Sequence, residues 1–481
     1  MGLKRIEDNA FYQCYHLSGD LAIPSSCTEI GEKAFYDTAI ETLTCPANVS
    51  IGEAAFSRCW NLKIPEIRFS GVGAKVCTSA FGEGILGYYN VTKINRVILG
   101  HGAVVESEAF GSHVDELVIE DGVEAIGTNA FETDTIIFYG IIKNLSENAF
   151  RSCMKVHSSS LDMWLSQSFA SPTTNPTYMS HNLYVNNQEV SSIRIPASIN
   201  RIPQNSFVNV ESVTDVELHP NIIGIGESAF SGCCNLSKIQ FSSDSKLETI
   251  GSNAFSGCSS LLALDFPLSI NKIEEKAFTN CSSLKKVVAH WDEPFAIQSN
   301  TFSGVDADCY LYVPIGKATA YTKAGWNLVP NFKEAGILSV KANNGGTVNC
   351  YDTNITNTTE DVFFTPYRSF NINLIPDEGY VIKKVKLNGE NVTSQVEDGV
   401  LFMEEPEENM NLSVIFADAN IKTGDVNGDG IINVTDAICI VNHILKNKPE
   451  VFYDYAADAN DDEVINITDA VTVVKLLIGN K

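Results

Sequence analysis

The sequence has no excess of positive charge and no long apolar segment. Its 481 residues include 33 Lys and Arg against 59 Asp and Glu, which gives a formal net charge of −26. This charge opposes binding to nucleic acid or anionic membranes through long-range attraction. No apolar run approaches the roughly 18 residues that identify a transmembrane helix. Composition therefore indicates neither a nucleic-acid-binding protein nor a protein inserted directly into a membrane.

Known signatures of catalytic centres are also missing from the sequence. The chain has no G-x-S-x-G, no H-E-x-x-H, no phosphate-binding loop and no G-x-G-x-x-G in a strand–helix unit. Its eight His are scattered without patterned partners, and each is expected to be a surface residue or a satisfied core residue. We therefore predict no catalytic residues. A glycoside hydrolase, which would need paired carboxylates on a rigid cleft, is the enzyme alternative with the weakest support.

Up to about residue 305 the sequence instead repeats one phrase. An apolar residue is followed by three variable residues, a small residue and Phe, as in Ile30 to Phe35. Short alternating strands follow several of these phrases, for example from Leu236 to Phe241. Such a period predicts stacked coils, each of which buries its apolar face only against its neighbours. The repeated aromatic residues are Phe11, Phe35, Phe56, Phe81, Phe110, Phe131, Phe150, Phe207, Phe230, Phe255, Phe278 and Phe302.

Cysteine is plentiful, but its spacing indicates neither a disulfide framework nor a zinc site. Six of the 13 Cys follow a repeated Phe by three positions, and there are no CxxC pairs or Cys/His clusters at zinc spacing. A fixed repeat position implies one shared environment, most simply a column of buried thiols with parallel side chains. The six residues are Cys14, Cys59, Cys153, Cys233, Cys258 and Cys281.

The repeats resemble the BspA-type (surface-antigen) leucine-rich repeat, and the number of copies makes the resemblance specific. It implies a solenoid, which we place at residues 1–332. The long interval between Phe150 and Phe207 indicates an insertion with a hairpin around residues 155–190. Residues 310–332 resemble the terminating segment of such arrays and are expected to cap its open end.

The sequence begins inside one of these repeats, and its first residues lack the apolar core of a signal peptide. We expect that a leader has been removed, so its absence does not argue for the cytoplasm. A secreted or cell-surface location is predicted.

Ligand binding by a solenoid is expected on its exposed strands, at the middle residue of each inward-x-inward triplet. These residues are apolar in the N-terminal half and mostly charged or polar after the insertion. Such a row suits a protein or a glycan surface and specifies neither, and ordinary surface variation explains it equally well. The candidate ligand-face residues are Ile98, Val118, Arg194, Glu217, Gln240, Asp265 and Val288.

Residues 333–417 alternate in the manner of short strands and predict a small all-β domain. Asn388-Gly389 is a strong two-residue hairpin turn, because both positions accept positive φ. The phrase from Gly379 to Gly389 is similar to divergent InlB-type, Ig-like β-repeats. Such modules in this position usually act as spacers, which is the role we predict here.

Two copies of a twelve-residue pattern, which start at Asp425 and Asp458, give the most specific indication of function. Oxygen-bearing side chains at positions 1, 3, 5, 9 and 12, with a backbone carbonyl at position 7, are how a short loop surrounds Ca²⁺. A solvated acidic turn is the alternative, but chance rarely places five donors correctly twice. The predicted ligands are Asp425, Asn427, Asp429, Ile431, Asn433 and Asp436 in the first loop and Asp458, Asn460, Asp462, Val464, Asn466 and Asp469 in the second.

The two loops differ from each other and from the paired-helix calcium motif. The second loop has Glu463 where the sharp turn favours Gly, so we expect it to bind Ca²⁺ more weakly or to bend differently. Position 12 is Asp in both loops, and no apolar helical period precedes Asp425. Asn433 and Asn466 lie in Asn-x-Thr sequons, where a glycan would abolish the site. We therefore expect a bacterial protein.

A helix is predicted after each loop, and a loop followed by one helix, duplicated, resembles the type I dockerin domain. The resemblance covers residues 418–481 and implies a Ca²⁺-dependent module that docks onto a cohesin domain of another protein. It also implies that loop positions 10 and 11 and parts of the following helices face that partner, in two possible orientations related by a pseudo-two-fold axis. These residues are Val434, Thr435, Val441, Asn442, Ile467, Thr468, Val474 and Lys475.

Two points about this face stay open. Many members of the family have a Ser-Thr pair where this chain has Val-Thr and Ile-Thr, so the sequence does not identify the cohesin. The apolar residues have packing between the two halves as an alternative role.

Together these features predict a mainly β protein with a leucine-rich-repeat solenoid, a small all-β domain and a small α-helical dockerin with two calcium loops. We expect a non-catalytic extracellular recognition protein. Its repeats would bind a host, microbial or polysaccharide ligand, and its dockerin would dock to a cohesin-bearing partner. The alternatives are an accessory component of a cellulosome-like polysaccharide-degrading complex and, with less support, a glycoside hydrolase.

Overall fold

The computed structural model describes residues 2–82, 93–242, 244–351, 353–365, 368–447, 449–462 and 464–479. The chain divides into two compact units, Met1–Val313 with Ala318–Lys333 and Pro314–Lys317 with Glu334–Lys481. Within the described ranges no helix has both the length and the apolarity needed to cross a bilayer. The α-helices are α1 Leu161–Ser166, α2 Thr177–Ser180, α3 Ala318–Lys323, α4 Val434–Ile444, α5 Asp454–Ala457 and α6 Ile467–Gly479.

One edge of the solenoid is built from very short parallel strands, one from each coil. Their register places equivalent apolar residues side by side, so that Ile30 lies between Ile6 and Ile51. In spatial order the seven strands before the insertion are Arg5–Ile6, Glu29–Ile30, Ser50–Ile51, Lys75–Val76, Val104–Val105, Val123–Ile126 and Ile142–Leu145. The four after it are Arg201–Ile202, Gly224–Ile225, Thr249–Ile250 and Lys272–Ile273.

A second series of strands runs along the array and carries the predicted ligand face. The largest sheet follows the order Gln188–Glu189, Tyr184–Val185, Lys155–Ser158, Phe131–Phe138, His113–Ile119, Lys93–Leu99 and Lys63–Ile64, with Phe150–Ser152 and Ile67–Phe69 at its side. The smaller sheets are Ser18–Ala22 with Ala39–Thr44; Ser192–Arg194, Asp215–Leu218 and Lys238–Phe241; and Ala263–Asp265, Lys286–Val288, Tyr310–Val313 and Asn331–Glu334.

The repeated Phe residues form two stacks inside the solenoid, one on each side of the insertion. The rings of Phe35 and Phe56 are 5.3 Å apart at 5°, and those of Phe230 and Phe255 are 5.3 Å apart at 2°. Backbone hydrogen bonds join the same coils, since the Phe230 N–H donates to the Ala254 carbonyl at 2.8 Å. The predicted stacking of coils is therefore confirmed, and neighbouring coils supply the apolar contacts that a single coil lacks.

A left-handed residue precedes nearly every repeated Phe by two positions. These residues have φ between 51° and 58°, and five of them are Asn, which tolerates this conformation better than most residues. The shared geometry closes each coil with the same turn. The residues are Asn9, Lys33, Ala54, Ser79, Glu108, Asn129, Asn148, Asn205, Ser228, Asn253 and Lys276.

The predicted column of buried thiols is confirmed for five of the six repeat cysteines. Cys59, Cys153, Cys233, Cys258 and Cys281 are buried, and no disulfide joins any of the 13 Cys, all of which lie in the described ranges. The expectation was wrong for the sixth, Cys14, which is exposed. Cys14 lies in the first coil that the structure describes, so none of the described coils covers it on that side.

The predicted insertion contains two short helices and a hairpin. Tyr184–Val185 pairs antiparallel with Gln188–Glu189, which confirms the hairpin. The buried indole of Trp164, on α1, donates from Nε1 to the carbonyl of Ser206 at 2.8 Å. Its ring lies between Phe138 and Phe169. Trp164 thus fills the interior between the two Phe stacks. The 3₁₀ turn Pro172–Thr174 and α2 follow it in the insertion.

The end of the repeat array is covered by α3 and the 3₁₀ turn Trp326–Leu328. The indole of Trp326 is buried and donates from Nε1 to the carbonyl of Phe295 at 2.8 Å. Its ring contacts those of Phe302 and Trp291. These aromatic contacts remove the last coil's apolar face from water. The capping role of residues 310–332 stays a prediction.

The second unit contains a sandwich of two five-stranded sheets. One has the order Thr359–Phe364, Gly336–Ala342, Met410–Asp418, Tyr380–Leu387 and Glu390–Asn391. The other has the order Thr353–Ile355, Gly346–Cys350, Phe370–Pro376, Val400–Met403 and Val396–Glu397, with a 3₁₀ turn at Thr393–Gln395. The predicted hairpin turn is confirmed, since Asn388 and Gly389 have φ of 51° and 86°.

The same unit contains α4, α5 and α6, which pack around a very small core. Its buried members are Val426, Ala437, Ile440, Ala457, Ala470 and Val473. Such a small buried apolar surface stabilises the fold only weakly, so hydrogen bonds between the loops and the helices become important.

Candidate calcium loops and docking surfaces

Asp436, the last residue of the first loop, holds both ends of that loop together. One of its oxygens accepts hydrogen bonds from the N–H groups of Val426 and Asn427 at 2.8 and 3.2 Å, and the other accepts from the Asn433 N–H at 2.9 Å. Asp436 is buried and lies in the first turn of α4, while Asn433 caps that helix. Loop closure and helix initiation therefore depend on the same side chains.

Asp425, at the first position of this loop, has one unsatisfied oxygen. Its Oδ2 accepts from the Gly430 N–H at 3.0 Å, while the buried Oδ1 has no hydrogen-bond partner among the described residues. The residue is only 1% exposed, so water does not compensate the carboxylate. A buried charged oxygen without a partner is strongly unfavourable. This observation from the structure fits a bound cation.

The other predicted ligands of the first loop are arranged by hydrogen bonds within the loop. The side-chain oxygen of Asn427 accepts from the Asp429 N–H at 3.0 Å, and Asp429 Oδ1 accepts from the Ile431 N–H at 2.8 Å. Gly428 and Gly430 have φ of 70° and 83°, which permits the tight bend. Ile431 exposes its side chain, as expected of a residue whose predicted contribution is its carbonyl.

The second loop repeats most of these contacts. Asp469 is buried and accepts from the N–H groups of Asn460 and Asn466 at 3.2 and 2.9 Å. Carboxylate oxygens of Asp458, Asp462 and Asp469 lie within 4.8 Å of one another. Three negative charges at such distances repel each other, and a divalent cation among them would remove that repulsion.

Both loops therefore present hard oxygen donors of the kind that Ca²⁺ prefers. The remaining second-loop residues follow the first: the Val464 N–H donates to Asp462 Oδ1 at 3.0 Å, and the Asn466 amide donates to the Val464 carbonyl at 2.7 Å. Glu463 lies outside the described residues, so its effect on this loop stays a prediction.

The predicted partner-facing residues are mostly exposed. Val434 is 60% and Ile467 58% exposed, so these two do not pack between the halves of the domain. Thr435, Thr468, Val474 and Lys475 are also exposed, while Asn442 and Val441 are half-buried. Val441 packs partly against the small core, which makes it the one apolar member with the alternative role.

An apolar groove between α4 and α6 was missed by sequence reasoning. It has a volume of about 270 Å³ and includes Ile438 and Val471, whose side chains are exposed. The signal was available, because each lining position on α4 has an apolar counterpart 33 positions later on α6, with Val471 in place of Ile438. The groove is lined by Ala437, Ile438, Val441, Ala470, Val471 and Val474.

Three of the residues predicted to form the ligand face of the solenoid are buried, so that prediction was wrong for Ile98, Val118 and Val288. Ile98 and Val118 lie side by side on adjacent strands, with Ile137 on the next strand. Branched side chains at this spacing shield each other. Val288 lies between Asp265 and Tyr312, where its neighbours shield it in the same way.

The other four predicted ligand-face residues are exposed. Arg194, Glu217 and Gln240 are lateral neighbours on three adjacent strands. The Arg194 guanidinium lies 3.1 Å from the Glu217 carboxylate. Asp265 is exposed and lies 2.6 Å from Nε2 of His290. After the insertion, this face is therefore polar and carries both signs of charge.

Three His residues have carboxylate neighbours that their sequence positions did not indicate. At the end of α2, Nδ1 of His181 lies 2.7 Å from Oε1 of Glu211. His290 contacts Asp265, and Nε2 of His113 lies 3.2 Å from Asp134 on the adjacent strand. His157 stacks on Tyr184 with ring centres 4.8 Å apart, and burial lowers the pKa of His157. Apart from His181, each of these residues belongs to the surface of the strand array.

Two families match this chain. Six copies of the BspA type Leucine rich repeat region match residues 1–102, 103–169 and 177–307, and the Dockerin type I domain matches residues 423–478. No curated protein matches the chain.

Several solved structures are similar. A leucine rich cell surface protein from Faecalibacterium prausnitzii A2-165 is 19% identical over 66% of this chain and 85% of that chain, with a TM-score of 0.35. A leucine-rich repeat protein from Bacteroides ovatus ATCC 8483 is 19% identical over 69% and 75%, with a TM-score of 0.35. The pneumococcal vaccine antigen PcpA is 15% identical over 69% and 75%, with a TM-score of 0.30.

The two matched families are non-catalytic modules that are typical of secreted or surface proteins. Type I dockerin domains bind calcium and dock onto cohesin-bearing partners. Since the repeat family matches more than half of the chain, the protein belongs to the BspA type leucine-rich repeat family and carries a type I dockerin domain at residues 423–478.

Proposed function

We propose that this protein is a non-catalytic recognition component that a calcium-loaded dockerin attaches to a cohesin-bearing partner. In this proposal residues 1–332 bind a protein or glycan ligand, residues 333–417 form a separate β domain and residues 418–481 dock. The unpaired, buried Oδ1 of Asp425 carries the calcium part of the proposal, because a cation supplies the partner that this oxygen lacks.

Each loop would hold one Ca²⁺ through its own oxygen atoms. In the first loop these come from Asp425, Asn427, Asp429, Asn433 and Asp436 and from the Ile431 carbonyl. In the second they come from Asp458, Asn460, Asp462, Asn466 and Asp469 and from the Val464 carbonyl. When bound, the ion neutralises the clustered carboxylates and fixes each loop.

The geometry of docking follows from the hydrogen bonds of the two loops. Asn433 and Asp436 join the first loop to the start of α4, and Asn466 and Asp469 join the second loop to the start of α6 in the same way. Ordering a loop therefore fixes the direction of its helix. The partner would contact Val434, Thr435, Ile467 and Thr468 at the helix starts. It would also contact Val441, Asn442, Val474, Lys475 and the apolar groove between the helices.

A binding assay with a panel of purified type I cohesin domains tests the docking proposal. We expect the full chain to bind at least one of them in calcium and to lose that binding in EDTA. A double variant with Asp425→Asn and Asp458→Asn should bind as weakly in calcium as the native protein does in EDTA. Asp398→Asn, outside both loops, is the matched control. Equal binding with and without calcium would contradict the proposal.

On the solenoid, the exposed polar row of Arg194, Glu217, Gln240 and Asp265 supports binding to a protein or glycan. A glycan array, run with native protein and with an Arg194→Ala and Glu217→Ala double variant, tests this role. Lys143→Ala, on the strand Ile142–Leu145 of the other sheet, is the control. Binding that both variants retain equally would exclude the row as the ligand face.

The accessory role in a polysaccharide-degrading complex is the second candidate, and the dockerin match favours it. In that case the repeats would bind a polysaccharide that partner enzymes degrade. Incubating the protein alone with plant and host glycans separates binding from catalysis. We expect retention on the glycan without released sugar, and release of sugar by the purified chain would contradict a non-catalytic role.

A further inference from the structure

Two adjacent lysines on the β domain contact α5 and the start of the second calcium loop. Lys384 Nζ lies 2.8 Å from Asp461 Oδ1, and the Lys384 side chain is only 8% exposed. Lys383 Nζ donates to the Tyr455 carbonyl and lies 3.3 Å from Thr423 Oγ1. Both lysines belong to the strand Tyr380–Leu387, and all of these residues lie in the second compact unit.

A β-bulge explains how two successive residues reach the same target. The pairing of Tyr380–Leu387 with Met410–Asp418 shifts between Ile382 and Lys384, so Lys383 is the extra residue. In a regular strand successive side chains point to opposite faces, whereas a bulge redirects them locally. The bulge thus supplies two ammonium groups to one short segment of the dockerin.

Nearby carboxylates offset part of the cost of burying the Lys383 ammonium. Burial lowers the pKa of Lys383, while the carboxylates of Asp461 and Asp458 act in the opposite direction. The Lys383 ammonium also lies 5.4 Å from the centre of the Tyr455 ring, and the Tyr455 hydroxyl accepts from the Asp418 N–H at 3.2 Å. Charge-assisted hydrogen bonds in a partly buried site are stronger than those on an open surface.

Among the residues that the structure describes, the first loop has no counterpart to this contact. Asp461 is position 4 of its loop and has φ of 63°, and the same position in the first loop is Gly428, with φ of 70°. Gly428 has no side chain to pair with a lysine, and the ring of Tyr453 lies 2.5 Å from where its Cβ would be. The acidic side chain at position 4 is therefore a specific feature of the second loop.

We infer that Lys383 and Lys384 form a calcium-independent clamp that holds the start of the second loop on the β domain. Asp461 is not a predicted calcium ligand, so the clamp and an ion in the loop can act together. Without calcium the clamp keeps Tyr455 to Asp462 attached to the β domain. The β domain is then the platform of the dockerin rather than the spacer that its sequence predicts. The clamp is a contact within one chain, and it does not depend on cohesin binding.

Hydrogen exchange of the full chain in EDTA, read by mass spectrometry over residues 454–462, tests the clamp. We expect slow exchange in the native protein. Lys384→Gln and Asp461→Asn should each accelerate it about tenfold to a hundredfold, the effect of losing a charge-assisted hydrogen bond. Asn tolerates the left-handed backbone at position 461, so this variant removes the charge without straining the loop. Lys386→Gln, two residues further along the same strand, is the control.

The two variants together distinguish loss of the clamp from unfolding of the β domain. Exchange in the strands Gly336–Ala342 and Met410–Asp418 reports on the β domain, and it should stay slow in Asp461→Asn. Combining both changes should add little to either one, because each removes the same contact. Fast exchange of residues 454–462 in the native protein in EDTA, or unchanged exchange in Asp461→Asn, would overturn the inference. Neither outcome depends on whether a cohesin binds.

Discussion

The thiol of Cys233 donates a hydrogen bond to the carbonyl oxygen of Phe207, one repeat earlier, over 3.1 Å. Cys258 makes the same bond to Phe230, and Cys281 to Phe255, each at 3.3 Å. The column of thiols therefore joins successive coils through side-chain-to-backbone bonds, next to the stacked Phe rings. Buried thiols of this kind are structural and unreactive.

Cysteine modification should distinguish the exposed Cys14 from the buried thiols of this column. We expect iodoacetamide near neutral pH to alkylate the exposed Cys14 of the native protein and to leave Cys233, Cys258 and Cys281 unmodified, because burial raises the pKa of all three buried thiols. Peptide mass spectrometry measures the extent at each site, and urea-unfolded protein is the control in which all four react. Rapid labelling of Cys258 in folded protein would contradict the assignment.

Alkaline stability should depend on the same residues. Burial raises the pKa of Cys281 from 9.0 to about 12. Its thiol ionises first in the unfolded chain, so its contribution is fully present below pH 9 and is lost as the pH rises towards 12. The expected loss is about 1.4 kcal/mol per pH unit in this window. Urea unfolding of native protein and Cys281→Ala at several pH values measures it, and the variant should show the shallower decline.

Truncating one ring of the Phe stack should strongly destabilise the solenoid. Phe255 is fully buried between Phe230 and Phe278, so Phe255→Ala should lower the free energy of unfolding by about 3–5 kcal/mol. Phe11 is partly exposed at the end of the stack, and Phe11→Ala is the matched control with a much smaller expected effect. Urea unfolding followed by circular dichroism measures both. Equal losses would show that the stack is not a continuous core.

Removal of calcium should affect the C-terminal domain selectively. A double variant with Asp425→Ala and Asp458→Ala should lose protease resistance in the first loop, α4 and α6 and leave the repeats and the clamped segment from Tyr455 to Asp462 protected, because the small core of the domain depends on ordered loops. Native protein in EDTA should show faster cleavage of the first loop. Limited proteolysis with mass spectrometry gives the sites, and Asp398→Asn is the control. Unchanged resistance of this tail in chelator would refute the calcium assignment.

The groove between α4 and α6 should be required for docking. A charge introduced by Val471→Asp or Ile438→Asp should weaken binding to a cohesin more than tenfold, since it places an unpaired carboxylate in an apolar contact. Both side chains are exposed in the free protein, so folding should be unaffected. Phe402→Asp, an exposed site on the β domain, is the control. Titration calorimetry measures the affinities, and full binding by both groove variants would exclude this surface.

The sequence alone predicted the local structure wherever one residue type recurs at a fixed interval. The period of the Phe residues predicted the stacked coils, and the oxygen donors at set positions predicted the two loops. Exposure on the strand face was less predictable: Ile98 and Val118 alternate like solvent-facing residues, yet their neighbours on adjacent strands bury them. Alternation specifies which face a side chain points to, whereas lateral packing decides how much water reaches it.

The contact between Lys384 and Asp461 could not be predicted from the sequence for a different reason. It depends on a bulge at Lys383, which arises from the register between two strands that are distant in sequence. No local pattern encodes that register. The groove residues Ile438 and Val471 differ in this respect, because the 33-residue duplication contained the signal.

The left-handed residue two positions before nearly every repeated Phe bears on how this array can evolve. Each of these coils turns at its own left-handed residue, and the backbone φ at that residue is nearly the same from coil to coil. Loss or gain of one entire coil would leave the remaining ones in compatible geometry. The length of the array, and with it the length of its exposed strand face, can therefore vary in whole-coil steps without redesign of the interior.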